Sequence, residues 1–87
     1  MPMDASKAAA RAVEHVTAMT GRSAESVVGM ERTDGDGWRV TVEVVETRRI
    51  PDSADILAVY ETEVDADGEL VAYRRVRRYP RGRVERE

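Results

Sequence analysis

Trp38-Arg39-Val40-Thr41-Val42-Glu43-Val44 alternates without a lapse: Trp38, Val40, Val42 and Val44 fall on one side, Arg39, Thr41 and Glu43 on the other. Successive side chains of a strand point to opposite faces, so period two of this kind predicts a strand with one dry face and one wet face. The Val44-Val45 doublet breaks the phase and predicts a bulge before the strand frays at Arg48-Arg49. Upstream, Thr33-Asp34-Gly35-Asp36-Gly37 has turn chemistry, because glycine takes positive φ and aspartate bonds its own backbone. Ser26-Val27-Val28-Gly29-Met30-Glu31-Arg32 before it reads as a short first strand.

Downstream, Pro51-Asp52-Ser53-Ala54-Asp55 is a polar connection, and Ile56 to Val64 forms a third strand. Ala58, Tyr60, Thr62 and Val64 share one side of it; Leu57, Val59, Glu61 and Glu63 share the other. Asp65-Ala66-Asp67-Gly68 is a hairpin turn, Leu70 to Tyr79 a fourth strand, and Pro80 its end. Residues 1–80 are expected to form one domain, with 81–87 as a mobile tail.

Before the first strand the period changes to that of a helix. Asp4 or Ser6 caps a run to about Thr20, in which Ala5, Ala8, Ala9, Ala12, Val13, Val16 and Met19 make one apolar stripe. Alanine is the best helix former, and Gly21 stands where helices commonly stop. Strands joined by short links must pair antiparallel, and the helix must lay its stripe on one face of the sheet. The expected fold is therefore α+β: one N-terminal helix on a four-stranded antiparallel sheet, in the order α-β-β-β-β.

Eighty-seven residues hold a single core, and a chain of this size buries only roughly 60–65% of its unfolded surface. With no Phe and one Trp, that core is built from Val, Ala, Leu, Ile and Met. The absence of Cys excludes a disulfide framework, a thiol nucleophile and a thiolate metal site. No stretch approaches the ~20 apolar residues of a membrane span, and no signal peptide is read at the N-terminus, so a soluble cytoplasmic protein is expected. Net charge is −3 but uneven: residues 1–69 carry seven basic and fifteen acidic side chains, residues 70–87 seven arginines and two glutamates. Such asymmetry points to association through one face.

Catalytic chemistry finds little footing. His15, the one histidine, has Arg11, Ala12, Ala18 and Met19 as its helical neighbours and reads as a solvated helix residue, with neither an acid–base partner nor a metal ligand beside it. Asp34-Gly35-Asp36-Gly37 resembles the opening of a calcium loop, but position twelve, where the loop needs a glutamate, is Val45. Asp65-Ala66-Asp67-Gly68-Glu69 fails the same way. No helix follows Gly35, Gly37 or Gly68 to make a phosphate cradle. The alternating acids Glu61, Glu63 and Asp65 read as a solvated strand face rather than a paired-carboxylate site. The expectation is a non-enzyme with no cofactor and no metal.

One stretch exceeds what solubility requires. Tyr73-Arg74-Arg75-Val76-Arg77-Arg78-Tyr79-Pro80-Arg81-Gly82-Arg83 holds six Arg and two Tyr in eleven residues. On a regular strand Tyr73, Arg75, Arg77 and Tyr79 share one face; Arg74, Val76 and Arg78 share the other. Arginine offers a planar fork for carboxylates and phosphates, and Arg and Tyr are enriched at interfaces. Tyr73, Arg74, Arg75, Arg77, Arg78 and Tyr79 are thus the candidate partner-binding residues. A plainer reading pairs Arg75 and Arg77 with Glu61 and Glu63 on the neighbouring strand. A third is single-stranded nucleic acid, which the acidity of the whole domain disfavours.

Gly37 to Glu46, Arg49-Ile50-Pro51-Asp52, Asp55-Ile56-Leu57-Ala58-Val59-Tyr60-Glu61, Asp65-Ala66-Asp67-Gly68-Glu69-Leu70 and Tyr73 to Tyr79 together resemble, in order and spacing, the gas-vesicle protein O family. The resemblance implies a role in gas-vesicle formation beside other vesicle proteins, without catalysis, in the cytoplasm or at the vesicle. It implies no particular binding residues. A small nucleic-acid-binding regulator using the last strand, and an inhibitory or sensing module of PepSY type suggested by the helix-plus-sheet order, are the alternatives. The second rests on fold analogy alone.

Overall fold

The computed structural model describes residues 4–48, 50 and 55–80. It has one helix, α1 (Ala5–Thr20), followed by β1 (Ser23–Arg32), β2 (Trp38–Thr47), β3 (Ile56–Val64) and β4 (Leu70–Pro80). The strands pair antiparallel with their sequence neighbours, in spatial order β1-β2-β3-β4, as short links require. The α+β order read from the sequence is the order observed. The proposed tail, 81–87, lies outside the described residues, as does most of the β2–β3 connection.

Asp4 begins the helix: its side chain accepts the Lys7 N–H at 2.9 Å, satisfying one of the donors a helix start leaves free. Gly21 ends it in the left-handed region at φ 71°, with its N–H on the Thr17 carbonyl at 2.8 Å. The buried stripe is narrower than the sequence suggests. Ala8, Ala12 and Val16, four residues apart, are fully buried, whereas Met19 is 54% exposed. Two alanines on that line bring the helix close to the sheet. There they meet Val40, Val42 and Val44 of β2 and Ala58 and Val64 of β3, all fully buried, with Val13, Ala24, Met30, Trp38 and Tyr60 around them.

Val45, Leu57 and Val59 are also buried, on the face turned away from α1. The helix lies over β1, β2 and β3 and only grazes β4. His15, expected to be solvated, instead hydrogen-bonds the Gly68 carbonyl through Nε2 at 2.9 Å, and Arg11 Nε donates to the same oxygen at 3.3 Å. These contacts seat α1 on the β3–β4 turn. They come from a tertiary approach, which helical spacing cannot show.

Both hairpin turns form where expected, but in the first the positive φ falls on Asp36 rather than on a glycine. Asp65 accepts the N–H groups of Asp67 and Glu69 on one side-chain oxygen, and Gly68 adopts φ 84°. In the other turn Asp36 sits at φ 69° and Gly37 packs against β3. The pairing slips at five places, leaving Glu25 and Val28 of β1, Glu46 of β2, and Val71 and Val76 of β4 as extra residues. The bulge foreseen at Val44-Val45 is the one at Glu46.

Candidate functional site

The bulge at Val76 rearranges the arginine-rich strand. Tyr60 faces Arg75 and Val59 faces Arg77, so Val76 has no opposite number. Residues that oppose one another in an antiparallel sheet share a face. Tyr73, Arg75 and Arg78, opposite Thr62, Tyr60 and Ala58, therefore lie on the helix side, and Arg74, Arg77 and Tyr79 on the reverse. The regular alternation expected from the sequence, with Tyr73, Arg75, Arg77 and Tyr79 together, is overturned by that one residue.

The ion pairs follow the corrected phase. On the reverse face Arg74 binds Glu61 Oε1 through Nε at 3.3 Å and Nη2 at 3.1 Å. Arg77 lies over the Tyr79 ring at 5.1 Å, and the Tyr79 hydroxyl donates to Glu43 Oε2. Further along, Arg39 pairs with Glu31 at 2.9 Å, a hydrogen bond that raises the Arg39 pKa above its ordinary value against a smaller opposing effect of burial. Arg39, Glu61, Glu63, Ala72, Tyr73 and Arg74 line an open depression of about 230 Å³.

On the helix side one carboxylate organises the site. Arg75 Nη1 reaches Glu46 Oε2, and Arg78 Nε reaches Glu46 Oε1, both at 2.7 Å. Only 11% of the Glu46 side chain is exposed, against 47% of Arg75 and 54% of Arg78. Burial alone would push the Glu46 pKa up. The hydrogen bond from Arg75 and the charges of Arg78 and Arg75 outweigh it and hold the carboxyl below its ordinary value. Arg22, one residue past the helix cap, donates to the Glu46 carbonyl at 2.6 Å. Beside them the rings of Tyr60 and Tyr73 lie 6.0 Å apart.

All six sequence-predicted residues thus lie on one edge strand but divide between its two faces. The expected partners of Arg75 and Arg77 were Glu61 and Glu63; in the structure Glu61 takes Arg74, and Arg75 goes to Glu46. Glu46, Glu43 and Arg22 were missed. The Val44-Val45 doublet marked the place where Glu46 would stand out, but not which arginines would meet it. Among the described residues there is no cluster of three potential metal ligands, and no helix is long and apolar enough to cross a membrane.

These features define a class: a two-layer α+β domain whose helix leaves the last strand uncovered, with arginines and tyrosines on both faces of that strand. The profile of the family described as "Gas vesicle synthesis protein GvpO" matches residues 1–85, and the chain belongs to that family. It is 59% identical over 68 residues to a gas vesicle protein O of a Streptomyces species (strain CB03234), covering 78% of this chain and 52% of the relative. It is 38% identical over 82 residues to gas vesicle protein O of Haloferax mediterranei, covering 94% and 59%. With gas vesicle protein O1 of Halobacterium salinarum it shares 37% over 82 residues, 94% and 68% of the two chains. The chain thus spans about half to two thirds of the length of these relatives. No solved structure matches it.

Proposed function

We propose that this chain serves gas-vesicle formation as a non-catalytic accessory protein in the cytoplasm, by contacts with other vesicle proteins, shell or assembly factors, made through β4. The observation that carries this reading is the placement of the arginines. β4 is an edge strand that α1 does not cover, and Arg74, Arg75, Arg77 and Arg78 are all exposed on it. Exposed arginine beside tyrosine is the composition of protein interfaces. Family membership supports the process, and the make-up of the strand supports the surface.

The test is a chain in which Arg74, Arg75, Arg77 and Arg78 are all changed to Gln together with Glu46→Gln, so that the nearly buried Glu46 carboxylate is not left without its cations. Because the one nearly buried carboxylate is neutralised with its cations, this variant should keep its far-UV dichroism and fail to support vesicles in a host carrying the rest of the gene cluster. Lys7→Glu, at an exposed position on α1, is the silent control. Normal vesicles from the folded variant would remove β4 from the working surface. If the fivefold variant does not fold, Arg74→Gln with Arg77→Gln and, separately, Arg75→Lys with Arg78→Lys divide the question by face. Normal vesicles from both pairs would give the same refutation.

A further inference from the structure

Three arginines from two separate stretches of chain converge on Glu46. Arg75 and Arg78 hold its two carboxylate oxygens, and Arg22 holds its main-chain carbonyl. Asp55, buried just before β3, and Glu25 of β1 are further carboxylates at this end of the sheet, each itself engaged. At Glu46 itself one carboxylate is shared between two guanidinium groups. The geometry is lopsided in a useful way. Glu46 lies nearly buried beneath, while about half of each of the Arg75 and Arg78 side chains remains in solvent.

A guanidinium carries five N–H donors in a planar fork. Arg75 gives one of these to Glu46 Oε2, and Arg78 approaches Glu46 Oε1 as an ion pair through Nε. The remaining donors sit on side chains already held in place from below, so a second anion would meet them without the usual cost of ordering two long side chains. We propose that Arg22, Arg75 and Arg78, positioned by Glu46, form a receptor for carboxylates of an acidic segment of a partner protein. This rests on the protein-contact reading above and assigns it to the helix side of β4.

Charge selects the protein ligand over nucleic acid. A nucleic-acid strand is held by a row of cations that neutralise successive phosphates. Here the exposed guanidinium groups that share a carboxylate are gathered at one corner. On the reverse face of the sheet Arg39, Arg74 and Arg77 are offset by Glu31, Glu43, Glu61 and Glu63, and the whole chain is at −3. Two or three forks close together suit one or two carboxylates.

The experiment titrates the full chain with deca-glutamate, and with an oligothymidylate of the same length, by calorimetry. Deca-glutamate should bind, and Arg78→Gln and Arg22→Gln should each weaken it about tenfold or more, the usual effect of losing a charge-assisted hydrogen bond. Arg74→Gln, on the reverse face, should leave it unchanged. Arg78→Gln retains Arg75 on Glu46; if it nevertheless fails to fold, Arg78→Lys, which keeps the charge and loses the fork, should show the weakening instead. Three results overturn the receptor: no binding of deca-glutamate, equal loss from Arg74→Gln and Arg78→Gln, or tighter binding of the oligothymidylate. Failure here is separable from failure of the contact reading. If deca-glutamate does not bind and vesicles still fail in the β4 variants, the receptor is wrong and the contact surface stands. If vesicles form normally in those variants, the contact reading falls whatever the peptide does.

Discussion

Replacing Glu46 by Gln keeps the side-chain shape and removes the charge that Arg75 and Arg78 share. Hydrogen bonds to a charged group contribute about 1.5–3 kcal/mol and neutral ones about 0.5–1.5, so two contacts would lose roughly 2–3 kcal/mol at full burial. Both arginines are about half exposed and regain water when released, which discounts the loss to about 1–2 kcal/mol. For a domain of this size each 1 kcal/mol is worth roughly 4–8 °C, so the melting temperature at neutral pH should fall by about 5–15 °C. Thermal unfolding followed by far-UV dichroism measures it. The pH dependence supplies a second check. Glu46 is held below its ordinary value of 4.5, so its contribution is fully present above that value and is lost as pH falls through the lower, folded value. The gap between wild type and Glu46→Gln should therefore close in acid below pH 4.5. Equal melting temperatures at neutral pH, or a gap undiminished in acid, would refute the view that Glu46 is the organising carboxylate.

Other perturbations probe the rest of the frame. A Cβ added at Gly37 would lie 2.4 Å from the Val64 carbonyl oxygen and 3.2 Å from the Asp65 Cα, so Gly37→Ala should destabilise by about 1–3 kcal/mol in urea unfolding. Gly35→Ala, with nothing within 4 Å, should be far milder. Trp38, half-buried against the core beneath the Arg32 guanidinium at 5.1 Å, should cost about 2–4 kcal/mol when cut to Ala, seen as a large drop in melting temperature. Asp4→Ala removes the helix cap and should cost about 1 kcal/mol by the same melt.

The helix, the two turns and the four strands were legible because each rests on local chemistry: a run of alanines with a cap and a stop, aspartate and glycine at the turns, and the unbroken alternation of Trp38 to Val44. What was not legible is the phase of β4. Tyr73 to Tyr79 reads as a regular strand, and Val76, a good strand former, gives no sign that it will be the unpaired residue. A slip of one residue moves every later side chain to the other face, which is why Arg77 and Tyr79 parted from Arg75. The start of β1 was similarly obscured. Ser23 to Glu25 have weak strand character, and pairing with Val44 and Val45 draws them into the sheet.

The two bulges act together. β2 and β4 are not neighbours, yet each face of the sheet ties one to the other across β3. On the helix side Glu46 reaches Arg75 and Arg78 over Ala58, whose small side chain leaves the path open. On the reverse Tyr79 reaches Glu43, with Leu57 and Val59 buried in the register between them. Glu46 is itself the extra residue of β2. Were Val76 regularly paired instead of bulged, Arg78 and Tyr79 would exchange faces and both ties would be lost. An edge strand that receives almost nothing from the helix is thereby held from both sides by its second neighbour. Edge strands of this kind are ordinarily the first to fray. Here the half of β4 that carries the arginines is the half that is clasped, so those arginines are presented from a fixed backbone rather than a loose one, as a surface that must recognise a partner requires.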